Sequence, residues 1–494
     1  MLTLPRLFGY RQFFSRVTAV LISLLLTVLL LAQLSTMAMA APATPSRSCH
    51  LPGYEQPLRC FSISVPVDYQ QPDRARLLLH VTVAPAFRDG GEPDPLFVLA
   101  GGPGQAGSDL LPLLEGAFRR TRATRDIVLI DQRGTGLSGK LDCDNLQTLV
   151  EQTLPEQEAA LQRCLRKLDK PFAFYTTDHA ARDLDQIRQA LGYRQVNVWG
   201  SSYGTRLGQA YARLFPDNVR ALILDAVASP DQIIFAWGED GQTALDTVFA
   251  LCAADRACHA TYPNLATQFA SLTQHIATNA VKLQVPHPRT ANPLTLTLSS
   301  AQFAQTVRAA LYSGAVSSRL PFLIDSASKG NWQPFIAQMF STTDLSIDGP
   351  STGLMLAVTC AEDIPRVTPA ILAAEQRNSF IAASELTMIT RWCDFVRVPV
   401  VPYREPTMIT APVLLLSGAL DPVTPPHRAD SAAKHMRRAQ HVVVANLGHG
   451  VSQTGCAPRL LRQFLDHPAS PLAAACLQEI PPASFQLGAA GPHP

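Results

Sequence analysis

The chain has 494 residues, 47% of them hydrophobic and 16% charged, enough for one large core with a sizeable insertion and incompatible with wholesale disorder. With 41 basic against 39 acidic side chains the formal net charge is +2, and so even a balance offers no basic face for nucleic acid. The 39 prolines argue for many rigid loops and against long uninterrupted helices.

At the amino end, Arg6, Arg11 and Arg16 precede an apolar run from Val17 to Leu34, and Ala38-Met39-Ala40 puts small residues where a signal peptidase reads. This predicts a signal peptide over 1–40 and an exported mature protein. An uncleaved anchor is the competing reading of the same run. No later stretch is long and apolar enough to span a bilayer, so no membrane is expected in the mature form. Cys49, Cys60, Cys143, Cys164, Cys252, Cys258, Cys360, Cys393, Cys456 and Cys476 all lie beyond the cut. An even set in an exported chain reads as disulfides. Connectivity stays open at this level; joining neighbours would close loops 49–60, 143–164, 252–258, 360–393 and 456–476. Metal or thiol chemistry is disfavoured, because no C-x-x-C occurs.

Past the leader, Phe61–Val67 and Leu77–Val83 read as strands punctuated by Pro and Asp. Leu96–Ala100 and Ile127–Ile130 are denser apolar strands, too short for helices and each followed by a Gly-rich loop, as in the interior of a parallel sheet. Ala180, Leu184, Ile187 and Leu191 recur at helical spacing with Gly192 as a stop. Strand Val196–Trp199, a turn at Gly200–Gly204, a helix through Leu207 and Leu214 and strand Ala221–Leu224 continue the alternation. From about Ser229 to Tyr403 the pattern becomes mostly helical. It resumes with strands Val413–Ser417 and His441–Ala445 and a helix around Leu460–Phe464. The expectation is a mostly parallel, doubly wound α/β sheet whose core spans 41–230 and 405–494, interrupted by a helical insertion over 231–404.

Gly200-Ser201-Ser202-Tyr203-Gly204 fits G-x-S-x-G between a predicted strand and a predicted helix, the setting of a nucleophile elbow. Such a bend would lift Ser202 Oγ out at a helix N-terminus, where amide dipoles favour a developing anion. Ser201 is the rival within the motif. A serine alcohol needs a base held by a third group, with acid and histidine following in chain order. Asp421 falls in the loop past strand Val413–Ser417, and His449 lies between two glycines past the next strand. His427, His435, His441 and Asp430 are rivals that fall in or beside regular segments. For an oxyanion hole, Tyr203 N–H and a donor from Ala100-Gly101-Gly102-Pro103-Gly104 are the candidates, Gly102 before Gly101.

Gly101-Gly102-Pro103-Gly104, Asp131-Gln132-Arg133-Gly134-Thr135-Gly136-Leu137-Ser138, Gly200-Ser201-Ser202-Tyr203-Gly204-Thr205, Leu416 to Pro425 and Gly448-His449-Gly450 occur in that order. Together they resemble the prolyl aminopeptidase and tripeptidyl aminopeptidase group of α/β-hydrolases. The resemblance covers roughly 60–230 and 405–465. It implies an α/β-hydrolase fold with a helical cap inserted between two late strands, and Ser202, Asp421 and His449 as a triad. Ala100 stands where prolyl aminopeptidases usually carry His, which leans toward the exported tripeptidyl branch. Asp131 and Arg133 are expected to hold the loop beside the oxyanion loop by an ion pair and backbone bonds. An aminopeptidase must also meet a substrate ammonium with a carboxylate. Glu362, beside Cys360, is the candidate from the cap, with Glu239 and Asp240 as rivals. The expectation is an exported serine hydrolase acting on short peptides from the amino end, with no metal or organic cofactor. A carboxylester or lactone hydrolase using the same triad is the alternative.

Overall fold

The computed structural model describes residues 45–143, 154–344, 349–377, 379–382 and 384–492; the predicted leader lies outside them. Among the described residues eleven strands are formed: β1 Ser46–Cys49, β2 Leu58–Pro66, β3 Arg76–Ala84, β4 Leu96–Leu99, β5 Ile127–Ile130, β6 Val196–Ser202, β7 Val219–Val227, β8 Val281–Pro286, β9 Pro293–Leu298, β10 Ile409–Gly418 and β11 Met436–Val444. Nine of them build one sheet in the order β1-β2-β3-β5-β4-β6-β7-β10-β11. The pairs from β1 to β3 and β3 with β5 are antiparallel, and every pair from β5 to β11 is parallel.

Burial explains the division. β4 and β5 are apolar and buried at all their positions, as strands covered on both faces must be. β2 alternates buried and exposed residues over much of its length, which suits an antiparallel strand with one face toward solvent. β11 closes the far edge, where the exposed Arg437 and Arg438 discourage pairing with another chain.

On one face lie helices Thr177–Ala190, Tyr203–Leu214 and Pro426–Ala433, packing Leu184, Ile187, Leu207, Tyr211 and Ala429 against the sheet. The first of these starts at the Thr176 cap and ends at Gly192, the expected stop, which takes a φ of 77°. The other face carries the short helical stretch Gly107–Leu114 and helix Ala457–Asp466, with Leu111, Leu114, Leu460 and Phe464 in its core. The sheet is thus wound on both sides, as expected.

Between β7 and β10 the chain runs through a series of helices with a core of their own around Leu245, Phe269, Phe303, Ile324 and Phe335. This stretch also contains the antiparallel hairpin β8–β9, which the sequence reading missed. Leu283, Leu296 and Leu298 supply its buried side, so an ordinary strand alternation lay inside a helical region.

All ten cysteines pair with their neighbours, 49–60, 143–164, 252–258, 360–393 and 456–476. Closing loops of such lengths stabilises by roughly 2–4 kcal/mol each through the unfolded chain. Three of the bridges join separate elements. Cys49–Cys60 ties β1 to β2, Cys252–Cys258 ties helix Gly238–Ala254 to helix Arg256–Thr261, and Cys360–Cys393 ties helix Thr352–Glu362 to helix Ser384–Val396.

The loop after β5 is held differently from expectation. Asp131 makes no pair with Arg133. Its carboxylate accepts Ser108 N–H at 2.8 Å and Leu137 N–H at 2.9 Å, fastening the turn that follows the glycine loop. Arg133 is fully buried and spends all five N–H groups. Two go to Asp183 at 2.7 and 2.6 Å and three to the carbonyls of Val67, Phe174 and Pro66. Asp183 also accepts Tyr69 Oη–H at 2.7 Å. Breaking a buried pair from one side strands the other charge. Arg133→Ala is therefore expected to lower unfolding stability by about 3–5 kcal/mol, read from urea midpoints at unchanged slope.

Candidate active site

β6 runs without a linker into helix Tyr203–Leu214, and the bend between them falls on Ser202, with φ 55° and ψ −125°. A β-carbon residue in this left-handed region is strained by about 1–3 kcal/mol and persists only where its surroundings hold it. Here they do. Thr205 Oγ1 donates to Ser202 O at 2.6 Å and accepts Ala228 N–H at 2.8 Å, clamping the turn to the end of β7. Gly204 packs on the end of β4, where any Cβ would run into Leu99 O and Ala100 O. Strain falls on Ser202, not on its rival Ser201.

The acid comes from the loop after β10. Asp421 is 1% exposed, and four groups surround its carboxylate. Oδ1 accepts the N–H groups of Val423 and Thr424, both at 2.9 Å; Oδ2 accepts Thr424 Oγ1–H at 2.7 Å and lies 2.8 Å from His449 Nδ1. Burial alone would raise this carboxyl, but the neighbouring His449 and the bonds from His449 and Thr424 hold it below the usual carboxylate range. His449 shows the mirror image. Burial disfavours its charged ring, yet the charge and hydrogen bond of Asp421, with a further contribution from Asp225, hold its pKa above the ordinary histidine value.

His449 arrives on the loop after β11, and the cap helps to place it. Its N–H donates to Tyr312 O at 2.8 Å, and the Tyr312 ring stands edge-on to the imidazole with centroids 4.9 Å apart. This approach requires Gly448, because a side chain there would strike Tyr312 O. Tyr312 is set in turn by Arg308, which donates to Tyr312 Oη at 3.0 Å and pairs with Glu385 at 3.1 Å.

The glycine loop after β4 lies across the elbow. A Cβ built on Gly101 would sit 3.0 Å from that of Ser202, and Gly101 N–H is given to Gln105 Oε1 at 3.4 Å. A cavity of about 430 Å³ opens here, lined among others by Gly101, Gly102, Ser202, Tyr312, His449 and Asp225, with Leu110, Leu113 and Trp199 as its apolar side. Ser202, Gly102 and His449 thus all line this cavity, and Asp421 stands behind His449. Tyr203 opens the helix, its own side chain buried beneath the site.

Other candidates are engaged elsewhere. His441 contacts Asp430 at 2.9 Å, His435 faces Glu405, and His427 and Arg428 both meet Asp240. Glu362 does not line the cavity. Its carboxylate accepts Thr177 N–H and Oγ1–H, each at 2.7 Å, and Thr177 Oγ1 lies 2.9 Å from Tyr203 Oη. Burial pushes this carboxyl up, against the charge of Arg206 and the bonds from Thr177. Glu362 therefore caps helix Thr177–Ala190 and steadies Tyr203. Three residues at the site escaped the sequence reading. Thr424 had a visible signal, a hydroxyl three residues past the acid in a turn; Asp225 had one too, the one acid of a mostly apolar strand; Tyr312 had none.

A family model described as the alpha/beta hydrolase fold matches residues 94–454. Among curated proteins the chain is similar to a tripeptidyl aminopeptidase of Streptomyces coelicolor, 33% identical over 201 residues that cover 36% of this chain and 36% of that protein. It is 33% identical over 221 residues to the serine protease Hip1 of Mycobacterium tuberculosis, covering 40% and 42% of the two chains. A probable proline iminopeptidase of Streptomyces coelicolor matches at 36% over 135 residues, 27% of this chain and 33% of that one. The matched stretches span well under half the length of these relatives. The family match, in contrast, begins just before the glycine loop and ends just past His449, and on it the chain belongs to the α/β-hydrolase fold family.

Proposed function

We propose that the protein is an exported serine peptidase that releases residues or tripeptides from the amino end of short peptides. The observation that carries the reading is the 2.8 Å contact of Asp421 with a His449 that shares its cavity with a strained Ser202. In this reading Ser202 Oγ attacks the scissile carbonyl while His449 takes its proton. His449 then returns that proton to the leaving amine, and water repeats the sequence on the acyl-enzyme. Asp421 holds the ring so that Nε2 faces the serine, and stabilises the imidazolium without itself becoming protonated. Tyr203 N–H, at the head of the helix, and Gly102 N–H receive the oxyanion. Gly102 is favoured over Gly101 because the Gly101 N–H is already given to Gln105.

The names serine protease and proline iminopeptidase among the similar proteins support a peptide substrate, and the name tripeptidyl aminopeptidase supports action from its amino end. Five disulfides favour an oxidising compartment, and with the predicted leader they support export. Among the described residues no helix is long and apolar enough to cross a membrane.

A fluorophosphonate probe is expected to label the protein and to leave Ser202→Ala unlabelled; equal labelling of both would sink the proposal. On a panel of aminoacyl- and tripeptidyl-coumarins, free amines are expected to be cleaved and amino-blocked forms spared. Cleavage of blocked peptides and simple esters alike would favour the carboxylester reading instead. The pH profile has a definite sign. Only neutral His449 accepts the serine proton, and Asp421 favours the charged ring, so the acid limb of kcat/KM is expected above the ordinary histidine value of about 6.5. Asp421→Asn should move that limb to lower pH and reduce kcat by on the order of 10⁴.

A further inference from the structure

We infer that Asp225 is a positioning residue whose carboxylate holds the backbone just past His449 and so fixes the imidazole relative to Ser202. The inference rests on the Ser202–His449–Asp421 reading and adds a second carboxylate to it. β7 lies between the strand that ends in Ser202 and the strand that leads to Asp421, and Asp225 is paired with Ser201 on one side and Leu416 on the other. The register slips at this point. Ser201 faces Asp225 but Ser202 faces Val227, which leaves Ala226 as an inserted residue with φ 58°. A bulge of this kind re-aims the neighbouring side chain, and a left-handed alanine is kept only where the local structure demands it.

The re-aimed side chain reaches the histidine loop. Asp225 is 2% exposed. Its Oδ1 accepts Val451 N–H at 2.9 Å, and its Oδ2 accepts Ser452 N–H at 2.8 Å and approaches Val451 N at 3.1 Å. Both oxygens act as acceptors toward N–H donors; burial pushes this carboxyl up, and the bonds from Ser452 and Val451 and the nearby His449 work against that burial. Trp199 Nε1 donates to Ser452 Oγ at 2.9 Å, so the received residue is itself fastened to β6. The loop is held on both sides of the imidazole, by Tyr312 O at His449 N–H and by Asp225 at Val451 and Ser452, the second and third residues past it. Asp421 orients the ring; Asp225 sets where the ring's backbone stands.

Charge adds a consequence that a purely architectural residue would lack. The groups facing His449 are Asp421, Asp225, the more distant Arg308 and the Tyr312 ring. Removing the Asp225 charge takes away support for the imidazolium and moves the acid limb of serine reactivity to lower pH.

The test follows the rate of fluorophosphonate labelling against pH in the full chain, for wild type, Asp225→Asn and the exposed-acid control Asp430→Asn. Asp225→Asn is expected to label about tenfold more slowly or worse, with its acid limb shifted down, while the control matches wild type. An unchanged rate, or a slower rate with an unmoved limb, would overturn the inference. Hydrogen exchange of the wild-type protein tests it without a variant, in case Asp225→Asn does not fold. The amides of Val451 and Ser452 are expected to exchange as slowly as those of β7, and exchange at the pace of an open loop would overturn it. A wild-type protein inert to the probe would instead refute the serine-hydrolase reading beneath.

Discussion

A carboxylate with 1% of its surface exposed stays charged only if its surroundings replace the water it has lost, and Asp421 sits at the centre of that substitution. Two backbone N–H groups and the Thr424 hydroxyl satisfy it from its own loop, leaving His449 as its partner across the site. The other placements matter because of this contact. It requires the loop after β10 and the loop after β11 to meet, and parallel pairing of those strands puts both loops at the same end of the sheet, beside the bend after β6. The parallel half of the sheet is thus what brings residues 202, 421 and 449 to one edge.

Much of this was legible in the chain. Strands buried on both faces, such as Leu96–Leu99 and Ile127–Ile130, announce themselves as short apolar runs, and their alternation with helices implies the parallel sheet. Ser202 and His449 stood out because each lies in a tight turn with glycines close by, and Asp421 because it falls in the loop just past a buried strand, all local patterns. What escaped was made by distance. Asp225 meets its partners 226 and 227 positions later, and Tyr312 acts on His449 through a backbone carbonyl, a group every residue has. Arg133 was marked as an anchor of its loop, yet its charged partner proved to be Asp183, on a helix with no local cue toward it. Glu362 illustrates a different limit. Its segment is pinned by Cys360 as expected, but a helix start nearby takes up its carboxylate. Sequence can nominate an acid, whereas the packing around it decides which donors it meets.

The cap bears on how the site is reached. An inserted helical region is readily pictured as a lid swinging over a finished active site. Here it is built into the loop that carries His449. Tyr312 O receives His449 N–H, its ring lies against the imidazole, and Gly448 is small so that the two can touch. Behind Tyr312, Arg308 is pinned by Glu385, which also accepts Trp237 Nε1–H at 2.8 Å, so three separate cap segments converge on one tyrosine. Rotating this part of the cap away would break the bond to His449 and expose the buried Arg308–Glu385 pair together. Any opening that admits a substrate is therefore more economically placed in segments that do not carry Tyr312. The cavity fits that division, bounded on its other side by Leu110, Leu113 and Trp199 of the core.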